Sequence, residues 1–207
     1  MTIKINGTDV AAQGTVLDVV LASGVDIPHL CKDDNLAAIG ACRTCLVEAD
    51  GRIVASCSLP AEGVKQVETH TDRAVMLRRG VLELTAAMQA PAGEGAFGGP
   101  FAQTASGVYE VAEVRAGAFD VLTGATEDGS SEFFSFHEDQ CILCGRCVSA
   151  CQDLQHISAI GMAGGGRSTR VTPDGDVTFR DSICTSCGSC VAACPTLALR
   201  PKAGGPA

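Results

Sequence analysis

Twelve cysteines, arranged in three groups of four, constrain this 207-residue chain more than any other feature of its sequence. Residues 58–140 contain no cysteine, and this gap predicts separate N-terminal and C-terminal modules. An even cysteine count is compatible with disulfides or with metal ligation, so the expected compartment decides between them. The groups are Cys31, Cys42, Cys45 and Cys57; Cys141, Cys144, Cys147 and Cys151; and Cys184, Cys187, Cys190 and Cys194.

The start of the chain and the lack of a long apolar stretch predict a cytoplasmic protein. Residues 2–7 (TIKING) begin a strand pattern and lack the charged and apolar regions of a signal peptide. No stretch approaches the roughly 18 apolar residues of a membrane span, so we expect no direct membrane insertion. Thiols stay reduced in the cytoplasm, which favours metal ligation over disulfides. The net charge of −9, without a basic stripe, argues against nucleic acid as a partner.

The N-terminal module has the pattern of a small α+β domain of the β-grasp kind. Asn6-Gly7 predicts a hairpin turn after a first strand. Residues Thr15–Ala22 predict a helix that its threonine caps. Two further strands are predicted at 45–49 and 52–57, joined by a turn at Asp50-Gly51.

The middle of the chain is predicted as a helical and irregular connection. Residues 72–88 predict a helix capped by Thr71 or Asp72. Residues 90–107 are rich in Ala, Gly and Pro and predict a linker, and a short helix is expected at 108–115. The predicted division of the chain is 1–70, 71–135 and 136–202.

The C-terminal module contains an internal repeat. CILCGRCVSAC at 141–151 and CTSCGSCVAAC at 184–194 share the spacing C-x2-C-x2-C-x3-C. Between the two copies, Gly164–Gly166 predicts a turn. Residues 173–176 predict a second turn, in a hairpin between strands at 170–172 and 177–179.

The repeated spacing is typical of a pair of [4Fe–4S] clusters. Three closely spaced thiolates reach three corners of one cube, whereas the fourth cysteine lies one helical turn further on and ligates the other cube. Gly145 and Gly188 occupy matching places, where a side chain would crowd the cluster or the turn. The predicted ligand sets are Cys141, Cys144, Cys147 and Cys194 for one cluster, and Cys184, Cys187, Cys190 and Cys151 for the other.

This repeat, over residues 137–200, resembles the bacterial two-cluster ferredoxin. Pro195 after Cys194 matches the C-P ending of that family, whereas Gln152 after Cys151 departs from it. The departure concerns the turn after Cys151, because the ligand itself is present. The resemblance implies a ferredoxin-like domain that carries electrons on two [4Fe–4S] clusters.

The first group has the spacing C-x10-C-x2-C-x11-C, which is not that of plant-type ferredoxins. The segments Gly24–Cys31, Gly40–Val47 and Ala55–Cys57 resemble the N-terminal [2Fe–2S] domain of the complex I large iron–sulfur subunit. The same domain opens NAD-linked formate dehydrogenase alpha subunits, the diaphorase iron–sulfur subunit of NAD-reducing hydrogenases and iron-only hydrogenases. The resemblance implies one [2Fe–2S] cluster on Cys31, Cys42, Cys45 and Cys57.

Other readings of the cysteines stay open at the level of sequence. Paired C-x2-C motifs also form structural zinc sites, and the spacing of the first group is less diagnostic than the repeat. Three clusters with four thiolates each would use all twelve cysteines and leave no thiol as a nucleophile. His29, His137 and His156 lie near cysteines, but loop or surface roles are favoured for them because the thiolate sets are complete.

The chain departs from the complex I pattern between its two modules. Complex I-like chains usually carry a cluster with one histidine and three cysteine ligands there, whereas residues 82–107 contain no cysteine and His70 has none nearby. That cluster is therefore predicted to be absent. Either the two modules pack closely, or a partner subunit supplies a centre between them.

Together the motifs predict an α+β electron-transfer subunit without a catalytic site of its own. The resemblance implies a flavin-containing NAD(P)H-oxidising subunit at the [2Fe–2S] end and a catalytic dehydrogenase or hydrogenase subunit at the ferredoxin end. A formate dehydrogenase or hydrogenase complex is the favoured setting. The alternatives are a free-standing ferredoxin-like carrier and an iron–sulfur sensor, although a sensor needs a DNA-binding or effector domain that the motifs do not show.

Overall fold

The computed structural model describes residues 1–88, 127–196 and 198–203. The predicted linker at 90–107 and helix at 108–115 lie outside the described residues. The strands are β1 Thr2–Ile5, β2 Thr8–Ala11, β3 Leu46–Ala49, β4 Arg52–Ala55, β5 Gln66–Glu68, β6 Glu127–Asp128, β7 Phe134–His137, β8 Ile160–Ala163, β9 Arg170–Pro173 and β10 Leu199–Pro201. The helices are α1 Val16–Ala22, α2 Asp72–Ala87, α3 Arg146–Ser149 and α4 Ser189–Ala193, with a π-helical turn at Ala150–Leu154 and 3-10 turns at Ser56–Ser58, Glu138–Gln140, Gly166–Ser168 and Asp174–Asp176.

The first module is a five-stranded sheet in the order β2-β1-β5-β3-β4. Both predicted hairpins are confirmed, with Asn6-Gly7 between β1 and β2 and Asp50-Gly51 between β3 and β4. Both residues of each turn have positive φ, as the type I′ turn of a tight hairpin requires. Strand β5, which the sequence did not predict, pairs parallel with β1 and antiparallel with β3 and so closes the sheet.

Helix α1 begins where the sequence predicts, because Thr15 forms a capping box with Asp18. The Asp18 N–H donates to Thr15 Oγ1 at 3.2 Å, and the Thr15 N–H donates to Asp18 Oδ2 at 2.8 Å. The buried face of the helix packs against the inward side of the sheet, where Ile3 and Val47 are fully buried. This side chain packing forms an apolar core that is independent of the C-terminal module.

Helix α2 confirms the predicted helix and packs against the first module. Thr71 Oγ1 accepts from the Ala74 N–H at 3.2 Å, which identifies Thr71 as the capping side chain. The guanidinium of Arg78, only 1% exposed, donates to the Leu46 carbonyl at 2.8 Å. The start of the predicted connection is therefore anchored on β3.

The second module contains a three-stranded sheet, in the order β10-β7-β6, and the separate pair β8-β9. Phe134 and Phe136 on β7 point to the ring of Phe179, with edge-to-face centroid distances of 5.0 and 6.0 Å. Buried cysteines complete this core together with the aromatic rings. No helix among the described residues has the length and apolar character needed to cross a membrane.

One predicted hairpin is wrong. Strand β9 pairs antiparallel with β8 rather than with residues 177–179, and the Gly-rich turn at Gly164–Gly166 belongs to the β8-β9 connection. Residues 173–176 do turn the chain, but Phe179 then buries its ring between β7 phenylalanines and its N–H donates to Asp128 Oδ2 at 2.9 Å. Packing of the Phe179 ring and the hydrogen bond to Asp128 therefore take the place of the predicted pairing between residues 170–172 and 177–179.

Candidate metal centres

The second and third cysteine groups line two cavities in the second module. One cavity is lined by Cys141, Cys144, Cys147 and Cys194. The other is lined by Cys151, Cys184, Cys187 and Cys190. Each cavity thus combines three cysteines of one repeat with the fourth of the other. The structure therefore brings together the sets that the crossed assignment predicted.

The two repeats have the same backbone conformation around their cavities. Gly145 and Gly188 precede α3 and α4 with φ of 82° and 81°, a left-handed conformation that glycine adopts without strain. Leu143 and Ser186, two residues after the first cysteine of each repeat, also have positive φ. Their N–H groups point back to sulfur, at 3.4 Å from Cys141 Sγ and 3.4 Å from Cys184 Sγ. Such donors stabilise negative charge on a thiolate.

The same geometry refines the role predicted for the two glycines. A Cβ at position 188 would meet no protein atom within 4 Å, so no protein contact besides the left-handed turn requires glycine there. A Cβ at position 145 would lie 3.4 Å from Ile39 Cγ2, a side chain of the first module. Gly145 therefore serves both the turn and the approach of the two modules.

The first group forms a separate buried site beneath the loop between α1 and β3. Cys31, Cys45 and Cys57 are each 1% exposed, and Cys42 is partly buried. Side-chain hydrogen bonds connect Cys31 to Cys42 and Cys57, and Cys45 to Cys57, so the four sulfurs are contiguous. Hydrogen bonds from neighbouring thiols lower the pKa of Cys31 and of Cys45. The same hydrogen bonds raise the pKa of Cys42 and of Cys57, so the four thiols share protons, and a bound cation would be needed to ionise all of them.

Thr44 is a residue of this site that the sequence analysis missed. Its side chain is fully buried, and Oγ1 accepts from the Leu30 N–H at 3.1 Å and lies 3.1 Å from Cys42 Sγ. It therefore ties the segment before Cys31 to the Cys42–Cys45 loop. Its place between two cysteines of a C-x2-C motif was a signal that could have identified it. The Cys31 N–H also points to Cys42 Sγ, at 3.3 Å.

The cavity cysteines are suited to a polycationic group rather than to free thiolates. Burial raises the pKa of Cys141 to about 12 and that of Cys144 to about 11. Burial likewise raises the pKa of Cys190 to about 12. Thiolates in such positions need a bound cation for stability, and iron ions supply that charge. The donor sets therefore fit iron–sulfur clusters, which consist of iron and sulfide held by cysteine thiolates.

The described part of the chain has no group of three His, Cys, Asp or Glu side chains arranged around the position of a single metal ion. The twelve cysteines are also free of disulfides. Support for iron–sulfur clusters comes instead from the two cavities, because four cysteines line each of them.

The histidines near the cysteines have other contacts or positions. His29 Nδ1 lies 2.7 Å from the Ile27 carbonyl and so stabilises its own loop. His137 Nε2 lies 2.9 Å from Ser135 Oγ. His156 is exposed, in a left-handed conformation after the π-helical turn. None of the three lines either sulfur cavity.

Two family models match the chain. Residues 1–72 match a 2Fe-2S iron-sulfur cluster binding domain, and residues 140–198 match a 4Fe-4S dicluster domain. The matches cover both cysteine-bearing modules in the order that the sequence analysis predicted. They support one [2Fe–2S] cluster and two [4Fe–4S] clusters as the cofactors of this chain.

Curated relatives align with most of this chain. A probable oxidoreductase of Bacillus subtilis is 30% identical over 87% of this chain, which covers 19% of that relative. An NADP-reducing hydrogenase subunit of Solidesulfovibrio fructosivorans is 32% identical over 96% of this chain, which covers 36% of that subunit. A putative formate dehydrogenase of Staphylococcus haemolyticus is 28% identical over 87% of the chain. The chain spans about a fifth of the length of the curated formate dehydrogenase and oxidoreductase relatives it matches.

A solved structure matches nearly the whole chain. It is a chain of an NAD⁺-reducing [NiFe]-hydrogenase crystallised in the H₂-reduced state, with a TM-score of 0.84 and 30% identity. The alignment covers 99% of this chain and 88% of that chain. With the sulfur cavities and the two domain matches, this likeness shows that the chain belongs to the iron–sulfur electron-transfer proteins of the NAD-linked hydrogenase, formate dehydrogenase and complex I type.

Proposed function

We propose that this chain relays single electrons between a flavin-containing NAD(P)H-oxidising subunit and a catalytic subunit of a formate dehydrogenase or hydrogenase complex. The observation that carries the proposal is that the chain forms three sites of four cysteines each. Two of these sites are cavities to which both ferredoxin repeats contribute cysteines. When bound, the three clusters supply one-electron redox chemistry. The chain's own residues bind them, shield them and set their electrostatic surroundings.

Within this proposal, the crossed ligand sets hold the two cubes and the first group holds the [2Fe–2S] cluster. Main-chain N–H groups near sulfur, such as those of Leu143 and Ser186, balance the negative charge of four thiolates. Thr44 contributes a hydroxyl at the first site. The ligands proposed are Cys31, Cys42, Cys45 and Cys57; Cys141, Cys144, Cys147 and Cys194; and Cys184, Cys187, Cys190 and Cys151.

The three cysteine sites differ in exposure, and the third has an exposed member, whereas the choice of partner at each end rests on the family resemblance. Cys187 of the third group is exposed, and the neighbouring Ile183 is 59% exposed. Electron exchange with another protein needs such a site near the surface. We assign this end to the catalytic subunit and the [2Fe–2S] end to the flavin subunit, in a cytoplasmic complex. The names of the relatives support both formate and hydrogen as the terminal substrate.

The crossed ligand sets are tested by comparing cysteine variants in pairs. Cys194→Ser and Cys141→Ser are expected to leave the same residual EPR spectrum, because both remove a ligand of one cube. Cys151→Ser is expected to match Cys184→Ser instead. If Cys194→Ser matches Cys184→Ser, the crossed assignment is wrong. Anaerobic iron analysis of the unaltered chain is expected to return about ten irons, two in the [2Fe–2S] cluster and four in each cube.

The role in a complex is tested by anaerobic isolation of the tagged chain from its native cell. Co-purification of a flavoprotein that reduces the chain with NADH or NADPH is the expected result. Recovery of the chain alone, fully loaded with iron and reducible by several unrelated enzymes, would contradict the subunit role and identify a free-standing carrier.

A further inference from the structure

Arg146 connects the two modules at the point where their first and second cysteine groups approach each other. It lies between Cys144 and Cys147, in the loop of the second group. Its guanidinium pairs with Asp33 and donates to the Leu30 carbonyl at 3.5 Å, both in the loop that carries Cys31. The Arg146 and Asp33 side chains are only 16% and 17% exposed. A planar guanidinium holds two acceptors on one loop in a defined orientation.

An apolar contact between the modules surrounds this ion pair. Leu30 and Cys31 of the first module form one buried group with Ile142 and Cys144 of the second, and Leu82 of α2 covers it. We call these five residues the seam. Ile39 and Cys42 pack against its edge. The seam therefore includes one proposed ligand from the first site and one from the second, with no other cysteine group between them.

The close approach of the two modules depends on the absence of a side chain at position 145. Ile39 Cγ2 lies 3.4 Å from where a Cβ would stand on Gly145. The left-handed conformation of Gly145 also directs Arg146 into the first turn of α3. The loop of the second cysteine group thus presents backbone at Gly145 and a cationic side chain at Arg146 to the first module.

Arg146 has one further donor that the protein does not use. Its Nε is buried and has no hydrogen-bond partner among the described residues. A buried unpaired donor is costly unless an acceptor is present.

The Arg146–Asp33 ion pair is more buried than an ion pair within the second module. Arg170 pairs with Asp176 inside the second module, but those side chains are 35% and 57% exposed. Exposed pairs of this kind stabilise little, because water and salt screen them. The Arg146–Asp33 pair joins residues 113 positions apart and is largely withdrawn from water. Its geometry is therefore suited to fixing the relative position of the two modules.

We propose that Arg146 and Asp33 are positioning residues that clamp the first and second cysteine groups together across the seam, so that this chain connects its [2Fe–2S] and [4Fe–4S] modules directly. This inference rests on the proposed function for its redox meaning. It answers the question posed by the missing histidine and cysteine ligands between the modules: close packing takes the place of an intermediate centre. When bound on either side of the seam, the two clusters would exchange a single electron, with no proton transfer and no bond change.

The test compares Arg146→Gln, Asp33→Asn and the double variant with the unaltered full chain, all loaded anaerobically. In the reduced unaltered chain, the [2Fe–2S] EPR signal is expected to relax several-fold faster than in Cys194→Ser, because a paramagnetic neighbour lies close by. Each single variant is expected to lose most of this increase in relaxation rate while it keeps the iron content of the unaltered chain. The double variant is expected to be no worse than either single variant, because both act on one contact.

Hydrogen exchange supplies a readout that does not depend on the clusters' magnetism. Both loops, residues 30–34 and 142–146, are expected to exchange faster in the two single variants, whereas strands β1 and β2 keep their protection. Arg170→Gln is the matched control, because it removes an arginine ion pair away from the seam, and it is expected to change neither readout. Arg146→Lys keeps the charge without the planar fork and is expected to restore the enhancement only in part.

The outcomes separate this inference from the proposed function. Unchanged relaxation and exchange in iron-complete Arg146→Gln and Asp33→Asn would overturn the clamp. If Arg146→Gln loses iron, Asp33→Asn decides, because Asp33 lies outside the cysteine loops of the second module. A chain that shows the coupling but never associates with a flavoprotein would contradict the subunit role and leave the clamp supported.

Discussion

The two modules of this chain solve the problem of building a core in different ways. The core of the first module has fourteen buried residues, of which only Cys45 and Cys57 are cysteines. The core of the second has eleven, including Cys147, Cys151 and Cys190, and partly buried cysteines pack around it. Aliphatic burial stabilises the first module without a cofactor, whereas the second has short strands and depends on groups that must bind metal. We therefore expect the first module to fold without its cofactor and the second module to require its clusters.

The largest expected effect follows from removal of iron. Chelation should unfold the second module, because structural metals contribute on the order of 10 kcal/mol to small metal-binding folds. Amides of β7 and β10 should lose their hydrogen-exchange protection, while those of β1 and β3 retain it. Reconstitution with iron and sulfide serves as the control and should restore the lost protection. Simultaneous loss of protection in both modules would contradict the distinction between the two cores.

A core truncation should affect the first module more than any cofactor change does. Leu17 on α1 is fully buried, so Leu17→Ala should lower the free energy of unfolding by about 2–5 kcal/mol. Urea unfolding followed by circular dichroism measures the change. Leu154→Ala is the matched control, because Leu154 is 45% exposed and its removal should cost less than about 0.5 kcal/mol.

A backbone substitution should act on the second module alone. Gly164 has φ of +80°, and a Cβ there would lie 2.1 Å from the Ser168 carbonyl oxygen. Gly164→Ala should therefore destabilise the β8-β9 pair by about 1–3 kcal/mol and lower the temperature at which the iron–sulfur absorbance is lost. Gly161→Ala, where a Cβ would meet nothing within 4 Å, should have a much smaller effect. Equal effects of the two substitutions would be inconsistent with the tight turn.

The smallest effect is expected at the cap of α1. Thr15→Ala removes the hydroxyl that accepts from the Asp18 N–H and should cost about 1 kcal/mol of stability in the first module. Thr15→Ser keeps the hydroxyl and should preserve most of the stability. Chemical denaturation of the iron-loaded protein distinguishes the two variants. A loss confined to the second module's transition would show that the cap does not act where the structure places it.

Local chemistry was readable from the sequence, because its causes lie within a few residues. The turns at Asn6-Gly7 and Asp50-Gly51, the cap at Thr15 and the helix after Thr71 all depend on neighbouring backbone and side-chain atoms. The cysteine spacing likewise indicated iron–sulfur modules, since ligands on one loop must match the corners of one cluster. Thr44 escaped notice because its importance comes from burial beside Cys42, which spacing alone does not report.

The chain by itself determined which turns, caps and cysteine loops this protein forms, since each is decided by contacts over a few residues. Only the tertiary structure decided that β5 lies beside β1, that β9 pairs with β8, and that the two modules meet at the seam. The physical reason is that these arrangements depend on competition between distant groups for one buried space. The ring of Phe179 packs against Phe134 instead of lying in a strand beside β9. The guanidinium of Arg146 pairs with a carboxylate 113 positions away in the sequence.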